Sequence, residues 1–153
     1  MPTIEEAIQQ PKFSSPGHRA QVNIIYTAAV LNQVTNRQLK PFGISLQQFN
    51  ILRILRGRGS NPVTIKLLTQ RMLDKMSNAS RLVDKLKDKG LVIREECSED
   101  RRRVDIVITK AGLELIEKAS RAVEQARLNH FENLTNEEAD QLSKLLDKLR
   151  GGA

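Results

Sequence analysis

The chain is 153 residues long, 39% apolar and 28% charged, with 3% aromatic residues and no Trp, which predicts one domain with an aliphatic core. A single Cys excludes an internal disulfide and a Cys-based zinc cluster. No apolar run approaches the roughly 18 residues of a membrane span, and residues 1–20 lack the apolar stretch of a secretory signal, so a cytoplasmic protein is expected.

The formal net charge of +7 is unevenly placed. Arg53 to Arg103 hold 14 Lys and Arg against 7 Asp and Glu, and the rest of the chain holds 11 of each. An excess confined to a third of the chain reads as a footprint for a polyanion rather than as diffuse solvation.

Residues 1–17, with Pro11, Pro16 and Gly17, read as an irregular arm. From His18 to about Leu39 the pattern is helical but apolar on most sides, through Val22, Ile24, Ile25, Tyr26, Val30, Leu31 and Val34. A helix without a clean polar face needs more cover than its own domain supplies, and a partner subunit is the simplest source. Lys40 to Gly43 (KPFG) stops it. Ser45 and Gln48 form a capping-box signature ahead of Leu46, Phe49, Leu52 and Leu55, and Gly57 to Pro62 (GRGSNP) ends that helix. Thr64 caps a short helix with Ile65, Leu67, Leu68 and Met72. After a break near Leu73 to Lys75, a second helix is expected with Met76, Ala79, Leu82, Val83 and Leu86 on its apolar side, closed by Gly90.

Two strand signals follow, Leu91 to Cys97 and Val104 to Thr109, the second placing Val104, Ile106 and Ile108 on one face. Thr109 opens a long helix to about Phe131, with Leu113, Ile116, Val123 and Ala126 on one side. Thr135 and Glu138 make another capping box, before a helix carrying Leu142, Leu145, Leu146 and Leu149; the chain closes on GGA. Short helix, tight turn and second helix between Thr64 and Lys89 constitute a helix-turn-helix, and the hairpin directly after it is a wing. This ordered set coincides with the whole charge excess.

On the second helix of the pair, the side opposite Ala79, Val83 and Leu86 presents Ser77, Arg81, Asp84 and Asp88, flanked by Asn78, Ser80 and Lys85. Asn can pair bidentately with adenine and Arg with guanine, each worth roughly 1–3 kcal/mol of discrimination. A surface helix that is merely wet would show the same polar side; the charge distribution favours the groove. In the wing, EECSEDRRR (Glu95 to Arg103) sets four carboxylates before three arginines. Such a turn can enter a minor groove, whose narrow form attracts arginine, and Asp100 is placed to hold one guanidinium by a carboxylate hydrogen bond. An exposed, salt-bridged turn of little energetic value would explain the mixed charge, but not its position after a helix-turn-helix.

Ser77 to Ile116 resembles the MarR (multiple antibiotic resistance regulator) family of bacterial transcription factors. The likeness extends from about His18 to Arg150. Its carriers are Lys89 to Val92 with Arg94 (KGLV.R), Asp100 and Arg102 in the wing, and Ile108, Thr109 and Gly112, where Ile replaces the usual Leu of LT..G. The resemblance implies a mainly α, winged helix-turn-helix homodimer with a two-stranded β wing. An arm (1–17) would precede one domain (18–153), made of a DNA-binding lobe (44–108) and N- and C-terminal dimerisation helices (18–40 and 109–150). It further implies Arg102 as the minor-groove probe with Asp100 orienting it, a roughly palindromic operator, and repression relieved by a small-molecule effector.

Major-groove candidates are therefore Ser77, Asn78, Ser80, Arg81 and Lys85; phosphate candidates are Lys66, Lys75, Arg101 and Arg103. No cofactor or metal is expected, because His18, His130 and Cys97 have no usable ligand spacing. For an effector cleft the sequence suggests only Tyr26, His18 or Arg19. Cys97 has two readings, an oxidation sensor or an inert structural residue, and the nearby carboxylates disfavour a thiolate. Catalysis is disfavoured because no phosphate-loop, dinucleotide or nucleophile-elbow motif is present. A winged helix that docks RNA or protein is the remaining rival; residues 53–103 contain no Phe, Tyr or Trp on which RNA bases would stack.

Overall fold

Side-chain caps decide where most of the helices begin. In the computed structural model, which describes residues 1–59 and 61–151, the order is α1 (Ile4–Ala7), α2 (Pro16–Leu39), a 3-10 turn (Lys40–Phe42), α3 (Leu46–Arg58), α4 (Ile65–Arg71), α5 (Ala79–Asp88), β1 (Val92–Glu96), β2 (Val104–Ile108), α6 (Lys110–Phe131) and α7 (Asn136–Arg150). Ser60 of the expected breaker and Gly152–Ala153 of the closing GGA lie outside the described residues. The Ser45–Gln48 and Thr135–Glu138 capping boxes both form. Thr64 Oγ1 accepts the Leu67 N–H at 3.1 Å, and Thr109 Oγ1 accepts that of Gly112 at 3.1 Å. Each cap satisfies a donor that the first helical turn cannot pair internally.

Helices α3, α4 and α5 and the β1–β2 hairpin close around one aliphatic core, in which Leu39, Ile51, Leu52, Leu68, Val83, Leu86, Val92, Ile106 and Ile116 are buried. The antiparallel register pairs Val92 with Ile108, Arg94 with Ile106 and Glu96 with Val104. A further backbone bond, from the Ile106 N–H to the Val63 carbonyl at 2.7 Å, ties the segment before α4 to the base of the wing. Helix α6 packs on both α2 and α3, and Arg56 reaches across to Glu117 (3.3 Å) and Ser120 (3.2 Å). No described helix is long and apolar enough to cross a membrane.

Three expectations change. The N-terminal arm is not irregular: Thr3 caps α1, Ile4 is buried, and Glu5 pairs with Arg19 at 2.5 Å, while α2 starts at Pro16 because Ser15 accepts the His18 N–H. A proline at the first helical position costs nothing, since its missing N–H would be unpaired there anyway. Met76 is not a core residue but 93% exposed, because α5 begins only at Ala79. Leu113 is also exposed; the inward side of α6 runs through Gly112, Ile116 and Ala119, one residue out of phase with the expected stripe at its start.

Outside this core, α2 exposes Ile24, Ile25 and Tyr26, and α7 buries no residue at all, leaving Leu142, Leu145 and Leu149 in solvent. Helix α2, which lacks a clean polar face in sequence, thus keeps part of its apolar surface exposed.

Candidate nucleic-acid interface

Helix α5 is held at both ends. At its start, the Asn78 Oδ1 accepts the Arg81 N–H at 3.1 Å. At its end, Gly90 has φ of +72°, its N–H donates to the Lys87 carbonyl at 2.9 Å, and the Leu91 N–H reaches the Leu86 carbonyl at 3.0 Å. This is a Schellman closure, in which the left-handed residue is glycine because a Cβ is disfavoured there. The chain then passes straight into β1. Thr109 returns to the same corner: its N–H donates to the Leu91 carbonyl (3.0 Å) and its Oγ1 donates to the Gly90 carbonyl (2.7 Å). Gly90, Leu91, Thr109 and Gly112 therefore form one joint that sets helix, wing and α6 relative to each other.

With Ala79, Val83 and Leu86 buried, the outer side of α5 presents Ser80, Arg81, Asp84 and Lys85, all exposed. Asn78 is exposed too, but its oxygen is engaged as the helix cap, leaving its NH₂ as the group free to donate. Ser77 is placed differently from the helical expectation. It precedes the cap, is half-buried, and its hydroxyl is buried without a hydrogen-bond partner among the described residues. Asp84 pairs with Arg94 of β1 at 2.5 Å, a link between α5 and the wing that the 100° wheel of α5 alone does not reveal.

The wing turn is a built loop. The Cys97 N–H donates to the Arg103 carbonyl and the Arg103 N–H to the Asp100 carbonyl, both at 3.0 Å. Asp100 Oδ1 accepts the main-chain N–H of Arg102 at 3.0 Å. The expected carboxylate–guanidinium bond from Asp100 is thus replaced by an Asx turn: a short side chain reaches its own backbone two residues on more readily than a distant guanidinium. The guanidinium that is held belongs to Arg103, whose Nε lies 2.9 Å from Asp105 Oδ1. That hydrogen bond, with the attraction of the same carboxylate, raises the Arg103 pKa above its ordinary value. Arg101 and Arg102 stay exposed, as do Lys66 and Lys75, whose ammonium donates to the Gln70 carbonyl. Cys97 is half-buried at the end of the hairpin.

Two cavities are found among the described residues. One, of about 200 Å³, runs between α2 and α6 and is lined by Leu31, Val34, Val123, Arg127, His130 and Phe131 among others. The other, of about 220 Å³, is lined by Asn32 of α2, Leu46, Gln47 and Asn50 of α3, and Met72, Leu73 and Asp74 of the turn before α5. Within it the Asn50 Oδ1 accepts the Leu73 N–H at 3.0 Å. Neither cavity includes the cleft residues suggested by sequence: Arg19 is paired with Glu5, His18 packs edge-on to Phe13 with its Nδ1 beside Ser14, and Tyr26 faces outward. Asn50 and Leu73 had no signal pointing to them, because their pairing spans 23 positions of sequence.

A helix-turn-helix followed by a two-stranded wing, both carrying cationic and polar side chains outward, defines a winged-helix DNA-binding protein. Comparison with known proteins agrees. The model of the MarR family matches residues 42–103. The chain is 32% identical over 114 residues to the HTH-type transcriptional regulator YkoM of Bacillus subtilis, covering 73% of this chain and 71% of that protein. It is 26% identical over 115 residues to the HTH-type transcriptional repressor IacR of Pseudomonas putida, covering 75% and 68%. In fold it is similar to the organohalide-sensing regulator RdhR in its 2,4-dichlorophenol-bound form (TM-score 0.84, 24% identity, 94% of this chain and 85% of that one). It is also similar to S. aureus MepR in complex with DNA (TM-score 0.81, 20% identity, 93% and 100%). The chain belongs to the MarR family and is a DNA-binding transcriptional regulator.

Proposed function

We propose that the protein is a homodimeric repressor that reads a near-palindromic operator and is released by a small, largely apolar effector. The observation that carries the reading is the division of the surface. One lobe holds the whole charge excess, with Ser80, Arg81 and Lys85 of α5 and Arg102 of the wing exposed together. The opposite elements, α2 and α7, expose Ile25, Leu145 and Leu149 instead. Pairing those apolar faces across a twofold axis would cover them and set two α5 helices about one DNA turn, roughly 34–36 Å, apart. Within each half-site, α5 enters the major groove through its first turns, with Asn78, Ser80, Arg81 and Lys85. Arg102, on a turn shaped by Asp100, enters the minor groove. Lys66, Lys75, Arg101 and Arg103 lie on phosphates, while Ser77 supports the entry to α5 from within.

The cleft between α2, α3 and the turn before α5 supports the effector reading. It is large enough for one substituted ring, and an occupant there would meet the Asn50–Leu73 bond that fastens the turn leading into the reading helix. That RdhR is known in a 2,4-dichlorophenol-bound form and that IacR is a transcriptional repressor support the same reading.

The test is binding by fluorescence anisotropy to a duplex selected from a random-sequence pool, against scrambled DNA, over a salt series and with added phenols. The expected result is one dimer per inverted repeat, a steep salt slope and release by a phenol. Equal binding to both duplexes at every salt concentration would remove operator reading, and indifference to every phenol would remove the effector class.

A further inference from the structure

Asp84 poses a problem for a reading helix. It sits on the outer side of α5, three residues beyond Arg81, where a bare carboxylate would repel phosphate and base acceptors alike. The structure supplies a partner from another element: Nη2 of Arg94, from β1, lies 2.5 Å from Asp84 Oδ1. The pair is asymmetric in burial. The Arg94 side chain is 30% exposed, with its Nε buried and lacking a hydrogen-bond partner among the described residues, whereas Asp84 is 60% exposed. Arg94 is thus rooted in the wing and reaches out to the helix. Its backbone is fixed by the pairing of Arg94 with Ile106, one of the buried core residues.

We propose that Arg94 is a positioning residue for DNA recognition: it clamps Asp84, setting the angle between wing and reading helix and neutralising a carboxylate that would otherwise oppose DNA. The Gly90–Leu91 joint already fixes where helix and wing meet. A joint at one end leaves a hinge, and a contact ten residues apart in sequence closes it. The clamp thereby couples the two grooves, since a wing that swings moves its arginines relative to α5. Arg94 in this role does not touch DNA, which separates it from the phosphate-contacting cations. The inference rests on placing α5 in the major groove as above.

The test combines three variants, Arg94→Gln, Asp84→Asn and the double substitution, on the full chain with the duplex selected by the unsubstituted protein. Arg94→Gln is expected to weaken binding roughly tenfold, as an uncovered carboxylate a few ångströms from phosphate would. Asp84→Asn loses the clamp but leaves no bare carboxylate and should weaken binding about threefold; the double variant should match Asp84→Asn rather than Arg94→Gln, with a salt slope unchanged throughout. A double variant as weak as Arg94→Gln, with a salt slope lower by about one, would make Arg94 a phosphate contact and overturn the clamp. So would unchanged binding by Arg94→Gln. Amide exchange on the free protein judges the clamp without DNA, and does so even if Arg94→Gln fails to fold. Asp84→Asn should speed exchange in residues 92–108 roughly fivefold relative to α3, and unchanged exchange there would refute the clamp. Loss of sequence preference by the unsubstituted protein would count against the α5 reading instead.

Discussion

Gly112 lies so close to Leu91 that a Cβ on it would stand 2.3 Å from the Leu91 carbonyl oxygen and 2.7 Å from Cγ1 of Ile108. The first neighbour is main chain and cannot step aside. Gly112→Ala is therefore expected to push the first turn of α6 away from the wing joint, at a cost of about 1–3 kcal/mol of folding stability. Urea denaturation measures the loss. Because the same corner aims the wing, operator affinity should fall at temperatures where the variant remains folded.

Asp100 acts on the backbone of Arg102, so the chemistry required at position 100 is an acceptor rather than a charge. Asp100→Asn keeps the acceptor and should bind DNA within about threefold of the parent. Asp100→Ala loses one hydrogen bond of turn geometry, roughly 0.5–1.5 kcal/mol, in operator affinity. Equal losses in both variants would restore a guanidinium-holding role.

The two neighbouring arginines should separate. Both are exposed, but Arg103 is paired with Asp105, whereas Arg102 makes no side-chain ion pair among the described residues. Arg102→Ala is expected to cost about 1–3 kcal/mol of binding and to weaken preference for a narrow, A·T-rich minor groove. Arg103→Ala should reduce binding almost equally for all sequences, with a shallower salt slope. Anisotropy titrations on duplexes with altered flanks distinguish the two.

Leu145 is 57% exposed on a helix that buries nothing. If α7 meets a second copy, Leu145→Asp introduces an unpaired charge into an apolar contact and shifts the protein to monomers at micromolar concentration. Sedimentation equilibrium reads this directly, and DNA binding should weaken with it because one half-site is lost.

The attachment of α1 should respond to acid. The Arg19 hydrogen bond holds the Glu5 pKa at about 2, below its ordinary 4.5. A lowered carboxylate pKa stabilises the attached form above pH 4.5, and that contribution disappears as pH falls through about 2. Amides of Ile4–Ala7 should lose protection over that window while those of α3 do not. Arg19 is exposed and Glu5 half-buried, so added salt should also loosen α1.

Element order could be read from the chain because its signals are local. Ser45, Thr64, Thr109 and Thr135 cap helices within three residues of themselves, and the alternation of Val104, Ile106 and Ile108 needs only its own strand. Helix α5 was legible from Ala79 onward for the same reason. Its start was not: Met76 and Ser77 fit the helical period, yet the Asn78 cap sets the boundary after them. A cap is a choice between competing hydrogen bonds, and periodicity does not register it.

Composition and spacing thus determined the class of fold, the place of the basic surface and the apolar character of α2. The bonds of Asp100 to the Arg102 backbone and of Arg103 to Asp105 span two residues each and are local choices among competing partners. Tertiary structure alone brought Arg94 to Asp84. It also joined Asn50 to Leu73 beside a cleft. Periodic burial and capping act over a few residues and leave a trace in sequence. Ion pairs between long side chains depend on which elements the closed core brings within a few ångströms, and that distance exists only once the chain has folded.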